Sequence, residues 1–165
     1  MFALRQRRRG QDVAEHVVPL DLGVEWQPNG PNAVLIASDY GPAVLALEPH
    51  FADADQRQVV LRWELPRLTL SSPPNDEAIT GHRLYSQGLS RVMWIGEVIG
   101  STLIQAMETQ NRVHPRHDPT RYAALSHHIV RTKEGVFEVV ADSVTVERIE
   151  SDTTLEAATL SIARG

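Results

Sequence analysis

The stretch AVLIASDYGPAVLAL, residues 33–47, decides the fold because it holds two apolar runs joined by a short turn. The runs are residues 33–37 and 43–47, and the turn between them carries glycine and proline. Strand-forming runs at this spacing predict an antiparallel hairpin. Nearly every position of both runs is apolar, so we expect both faces of the hairpin to be covered. A helix of the same chain or a second copy of the chain could supply that cover.

Further strands and a few helices are predicted around this hairpin. The apolar patterns predict strands at residues 17–22, 58–65, 91–99, 125–132 and 136–149. Residues 68–70 are predicted to continue the strand 58–65 beyond Pro66. Residues 82–90 are predicted to form a polar connection. Ser101 predicts the start of the main helix, and shorter helical segments begin near Asp76 and Asp118. The fold class is therefore α+β: a mainly antiparallel β-sheet or a partly closed barrel, with one main helix (about 102–112) and one or two short helices.

A single domain is expected from the length of 165 residues and the 42% hydrophobic content. We interpret residues 1–12 as a disordered basic arm, 13–150 as the globular domain, and 151–165 as a tail that forms either a packed helix or a strand. Cysteine is absent, which excludes disulfides, thiolate metal sites and cysteine nucleophiles and fits a cytoplasmic location. The arginines of the arm are not followed by the apolar segment of a secretory signal.

The charge of the chain restricts its partners. The formal net charge is −5, and setting aside Arg5, Arg7, Arg8 and Arg9 leaves 12 basic and 21 acidic side chains, so the body carries −9. A body this acidic repels a phosphate backbone, and we expect no nucleic-acid partner. No apolar run approaches the roughly 20 residues of a membrane-spanning helix. A small molecule or a protein remains the expected partner, and a homodimer is allowed.

Titratable side chains are concentrated between Asn75 and Tyr85. Asp76, Glu77, His82, Arg83 and Tyr85 supply two carboxylates, an imidazole, a guanidinium and a phenol within ten residues. These groups suit general acid–base catalysis if they converge in a partly buried cleft. The alternative interpretation, which we favour, is a capped helix whose acidic residues face the positive end of the helix dipole, followed by a polar loop.

The same segment carries the only resemblance to a family. The tetrapeptide PNDE (74–77) is followed by GHRLYSQGL (81–89), a pattern GHxLYxxGL. This pattern resembles a group of uncharacterised bacterial proteins, and the similarity extends over about residues 59–140. The resemblance implies that the segment belongs to a recurring domain, and it carries no known activity.

A second cluster combines His114, His117 and Asp118. Two histidines three residues apart plus a carboxylate can bind zinc, iron or manganese. His82, or one of the adjacent His127 and His128, could add a donor. The interpretation we favour is a turn whose backbone is fixed by two prolines, with Asp118 as a helix cap. We therefore expect no cofactor and keep a divalent transition metal as the less favoured alternative.

The three tryptophans lie on or beside different predicted strands. Trp63 and Trp94, together with Asn111 and Arg112, are our candidates for binding a ligand, while packing in the core explains the tryptophans at least as well. Motifs such as GxGxxG, the P-loop, GxSxG and HExxH are absent. The leading hypothesis is a small acidic β-rich module that binds a small molecule or a protein. The alternative is a small acid–base enzyme of cyclase, isomerase or hydrolase type that uses residues 75–85, with or without a histidine-bound metal.

Overall fold

The computed structural model describes residues 13–164, and the predicted arm of residues 1–12 lies outside this range. The strands are β1 (His16–Pro19), β2 (Val34–Ala37), β3 (Ala43–Leu47), β4 (Gln58–Trp63), β5 (Leu68–Ser72), β6 (Ile95–Ile99), β7 (Ser126–Arg131), β8 (Val136–Ala141) and β9 (Thr145–Ile149). The helices are α1 (Thr102–Asn111), α2 (Pro119–Ala123) and α3 (Thr154–Ala163), with short 3-10 helices at Asp76–Gly81, Tyr85–Gln87 and Leu89–Arg91.

The strands form two antiparallel sheets that pack face to face. The five-stranded sheet has the order β1-β6-β7-β8-β5, and the four-stranded sheet has the order β2-β3-β4-β9. Leu45 and Trp63 of one sheet share a buried cluster with Val130 and Val139 of the other, so the main core lies between the sheets. The prediction of an α+β, mainly antiparallel protein is confirmed. Of its two variants the open form is right, because the sheets do not close into a barrel.

The hairpin of residues 33–47 forms as predicted, with Leu35 opposite Leu45. All five residues of β3 are buried, because the two faces of the strand contact different layers. Leu45 points into the core between the sheets, whereas Val44 packs with Ala157 and Ala158 of α3. The cover on the outer face is thus a helix of the same chain, formed by the tail, and a second copy is not needed to bury it.

Two predicted strands are divided between the sheets. The strand at 58–65 ends at Trp63, and β5 does not continue it but pairs with β8 in the other sheet. The strand at 136–149 likewise separates into β8 and β9, and β9 pairs with β4. The chain passes from one sheet to the other at Pro66, just after a sharp change of direction at Leu65, whose φ is +44°. Apolar patterns along the chain cannot show that a strand changes sheet, since the residues before and after the change alternate with the same two-residue period.

The prediction of a polar connection at 82–90 is wrong, and so is the start of the strand at 91–99. The chain there forms 3-10 helices, and the strand begins only at Ile95. Leu84 and Leu89 are fully buried and pack with Val17 and Val98 on the outer face of the five-stranded sheet. Short 3-10 helices bury residues at irregular spacing, which the polar composition of the segment conceals.

Within residues 13–164, no helix has the length and apolar character needed to cross a membrane.

Gly88 allows the close packing of the 3-10 helices on β1. Its φ is +114°, and a Cβ at this position would lie 2.3 Å from the carbonyl oxygen of Val17. We expect Gly88→Ala to lower the free energy of unfolding by at least about 2 kcal/mol, since backbone strain and a clash with a main-chain atom add together. Urea unfolding measures this loss. The matched control is Gly81→Ala, where nothing lies within 4 Å of the added Cβ. A loss equal to that of the control would contradict the argument.

Candidate functional site

The most unusual side chain of the fold is Glu138, in the centre of β8. It is 2% exposed and shares the outer face of the five-stranded sheet with Val136. A buried carboxylate needs charged or hydrogen-bonding partners, because an unpaired charge in an apolar environment costs several kcal/mol. Three side chains supply them: His127 Nε2 lies 3.0 Å from Oε2, Arg83 Nη2 donates to Oε2, and His82 Nε2 lies 3.9 Å from Oε1.

His127 connects Glu138 to the start of α1. The carboxylate beside Nε2 favours a proton on that nitrogen, which leaves Nδ1 to accept from the hydroxyl of Ser101 at 2.8 Å. The same Ser101 Oγ accepts the backbone N–H of Ile104, so it caps the helix, as the sequence predicts. Ser101 is 5% exposed and His127 is fully buried.

Arg83 closes a ring of contacts on the other side. Its Nη1 donates to Glu15 Oε2 at 2.8 Å, and the second oxygen of Glu15 accepts the Thr102 backbone N–H at 2.8 Å. The ring therefore runs from Ser101 through His127, Glu138, Arg83 and Glu15 back to the first residue of α1. We call these residues, together with His82 beside Glu138, the Glu138 ring.

The ring keeps Glu138 ionised. Burial acts to raise the pKa of its carboxyl group, but the contacts with His127, Arg83 and His82 outweigh burial and leave that pKa below the usual value. Burial lowers the pKa of His82, and the charge of Glu138 only partly opposes this effect. At neutral pH the ring therefore combines a carboxylate, a guanidinium and a neutral imidazole at His82.

Of the five predicted catalytic residues, the structure brings His82 and Arg83 together. Asp76 and Glu77 lie in the first turn of a 3-10 helix capped by Asn75, as the favoured interpretation expected, and Glu77 is exposed. Tyr85 is half-buried and packs against the outer apolar cluster.

Sequence reasoning missed Glu138, His127 and Ser101 as members of one site. The available signal was the run Val136-Phe137-Glu138, in which an acidic residue stands within an otherwise apolar strand. Such a residue on a core face needs partners, but its partners come from segments far away in the sequence.

The predicted metal-binding side chains have other contacts. His117 places Nε2 2.9 Å from Glu108 Oε1 and Nδ1 3.2 Å from Asn111 Oδ1, and Asp118 accepts from the backbone and hydroxyl of Thr120 as the cap of α2. His114 is exposed, and its Nδ1 accepts from a backbone N–H. Between residues 13 and 164 the structure shows no group of three or more side chains with metal-binding geometry.

The predicted ligand-binding residues are dispersed. Trp63 is fully buried in the main core, where its Nε1–H donates to His128 Nδ1 at 3.2 Å. Arg112 is exposed and pairs with Glu108 at 2.7 Å. Trp94 and Asn111 both line cavities, but these cavities are different ones.

Trp94 lines a cavity of about 660 Å³, which we call the Trp94 cleft. One wall is the segment 19–25, and the other consists of Met93, Trp94 and Ile95 together with residues 52–54. None of the lining residues comes from 75–85 or 111–118. The Trp94 cleft thus contains neither predicted cluster of titratable groups.

Asn111, His114 and Asp118 line a second cavity of about 420 Å³ together with three arginines, which we call the arginine pocket. The predicted cluster at 111–118 therefore faces a cavity, but its neighbours there are cationic side chains.

Comparison with protein-family models, curated proteins and solved structures found no match. The resemblance of residues 74–89 to uncharacterised bacterial proteins stays a prediction, and the function has to be argued from the geometry.

His128 predicts a pH dependence of stability. Burial, with a smaller effect of the neighbouring His127, lowers the pKa of His128 to about 4 from 6.5. Between these two values the unfolded chain takes up a proton that the folded chain does not, so this contribution is fully present above about pH 6.5 and is lost as the pH falls. We expect His128 to account for a loss of about 2 to 3 kcal/mol between pH 7.5 and 4.5.

Urea unfolding of the wild type and of His128→Gln at both pH values measures this contribution. The variant should show a smaller loss on acidification, and His114→Gln, at an exposed position, should show the wild-type loss. Equal pH dependence of the wild type and His128→Gln would contradict the assignment.

Proposed function

We propose that this protein is a binding module for a small organic molecule that occupies the Trp94 cleft. The observation that carries the proposal is the lining of this cavity: Leu20, Leu22, Val24 and Trp94 pack against the main core but remain partly exposed. A concave, mainly apolar surface of this volume is the usual form of a small-molecule site. The lack of cysteine supports a cytoplasmic setting for this binding.

The charges around the cleft restrict the ligand. Asp21, Glu25 and Asp53 line it against one arginine, Arg91. Asp53 is paired with Arg148, whereas Asp21 and Glu25 are exposed. The excess of carboxylates disfavours an apolar acid, so the ligand is an uncharged or cationic molecule with an apolar body.

We expect the uncharged dye Nile red to bind in the Trp94 cleft and to quench tryptophan emission, since Trp26 and Trp63 are at most 1% exposed and only Trp94 lines the cavity. Leu22→Gln should weaken binding about tenfold through the loss of apolar contact, and Trp94→Phe should remove the quenching. Fluorescence titration measures both effects.

The control for this titration is Leu160→Gln, which removes a partly exposed leucine of α3. Equal affinities of the two leucine variants would contradict the proposal. Tighter binding of the anionic dye 8-anilinonaphthalene-1-sulfonate than of Nile red would contradict the inferred charge of the ligand.

The acid–base enzyme is the second candidate, and the observation that favours it is the Glu138 ring. His82 and Arg83 of the 75–85 segment converge there with Ser101 and His127. The Ser101 hydroxyl lies 2.8 Å from His127 Nδ1, and His127 Nε2 lies 3.0 Å from Glu138 Oε2. In this order His127 Nδ1 can take the proton of the serine hydroxyl, and the carboxylate stabilises the imidazolium that forms. Arg83, 40% exposed, forms the solvent side of the ring.

Hydrolysis of p-nitrophenyl acetate by the purified chain tests this candidate. We expect a saturable rate above background that Ser101→Ala and His127→Gln each reduce at least about a hundredfold, while the control Ser90→Ala, at an exposed position, retains it. Thermal unfolding checks that the variants are folded. A rate that is absent in the wild type, or that survives both substitutions in folded protein, would exclude the candidate.

A further inference from the structure

The arginine pocket lies at one end of the five-stranded sheet. Arg67 stands just before β5, and its backbone N–H donates to the carbonyl of Val140 in β8 at 2.7 Å. Leu125 stands just before β7, and Arg116 and Arg121 belong to the segment that leads from α1 through α2. Two separate parts of the chain, Arg67 and the segment that holds Arg116 and Arg121, thus contribute three arginines to the lining of one cavity of about 420 Å³.

The cationic charge of this pocket is only partly compensated. Asp118 is the carboxylate that lines it, and this group also accepts two hydrogen bonds from Thr120 and lies 3.8 Å from Arg121. Among residues 13–164, Arg67 and Arg116 have no carboxylate within ion-pair distance. Three guanidinium groups against one carboxylate leave an excess of two positive charges.

This excess contrasts with the rest of the molecule. Apart from the four arginines of the amino-terminal arm, the chain carries −9. It therefore repels an extended polyanion, while the pocket attracts a compact one. A guanidinium group can donate two parallel hydrogen bonds to two oxygens of a phosphoryl or carboxylate group. A phosphate monoester carries close to two negative charges at neutral pH. The charge of the pocket therefore matches that of a single phosphoryl group.

The remaining walls suit the organic part of such a ligand. Tyr122 is half-buried, and its ring lies 6.0 Å from that of His117 at a tilt of 31°. Leu125 is 5% exposed, and Asn111 is half-buried with an amide near the same cavity. An aromatic ring, an aliphatic side chain and an amide can contact a small organic group next to the arginines.

We propose that the arginine pocket binds the phosphate monoester of a small organic molecule, with Arg67, Arg116 and Arg121 around the phosphoryl group and Tyr122 and Leu125 against the organic part. The pocket shares no lining residue with the Trp94 cleft. The inference is therefore independent of the proposed function, and either can fail without the other.

Isothermal titration of the full chain with phenyl phosphate tests the proposal. We expect saturable binding with a dissociation constant below about 1 mM, weakened at least about tenfold by Arg116→Gln and by Arg121→Gln, because each removes charge-assisted hydrogen bonds. Benzoate has the same ring but a single charge, and inorganic phosphate lacks the ring. Each should bind at least about tenfold more weakly than phenyl phosphate.

The matched control is Arg164→Gln, which makes the same change of charge at an exposed position near the end of α3. It should bind phenyl phosphate as the wild type does, and thermal unfolding should show all three variants folded. The proposal is overturned by any of three results: no saturation at about 10 mM phenyl phosphate, an affinity that the pocket variants leave unchanged, or benzoate binding as tightly as phenyl phosphate.

Discussion

Glu138 places a carboxylate among apolar side chains in the centre of a sheet, and much of the surrounding structure serves to compensate that charge. Removing an ionised carboxylate from water is unfavourable unless several donors replace the lost hydration. Arg83 donates a hydrogen bond to Glu138, and the imidazoles of His127 and His82 lie 3.0 and 3.9 Å from its oxygens. Arg83 also donates to Glu15. The Glu138 ring joins β7, β8, the start of α1, the 3-10 segment and the chain before β1 in one electrostatic unit.

A second polar contact joins the two sheets across the main core. Trp63 of β4 donates to His128 of β7, and both side chains are at least nine-tenths buried. His127 and His128 therefore act on opposite faces of one strand, because side chains alternate along a strand. The imidazole of His127 compensates the charge of Glu138 beneath the 3-10 helices. The imidazole of His128 stays neutral in the main core and accepts the indole N–H of Trp63.

The two cavities have opposite electrostatic character although they belong to one small fold. The Trp94 cleft combines apolar walls with exposed carboxylates, whereas the arginine pocket combines an aromatic and an aliphatic wall with guanidinium groups. Each cavity lies where connecting segments cross the end of a sheet. The charged side chains that line the cavities therefore come from these segments, and the core between the sheets remains apolar. The two cavities share no lining residue, so their charges are independent of each other.

Features that depend on neighbours in the sequence were predictable. The hairpin at 33–47, the cap of α1 at Ser101 and the cap of α2 at Asp118 all follow from turn and capping chemistry within a few residues. The ending of a strand, the sheet it joins and the partners of Glu138 depend on pairing between distant segments. Only the folded chain shows that β5 pairs with β8 and not with β4, and that α3 covers β3. It alone shows that Arg67, Arg116 and Arg121 line one cavity. The physical reason is that hydrogen bonds in turns and caps are local, whereas burial and charge compensation are properties of the whole packed molecule.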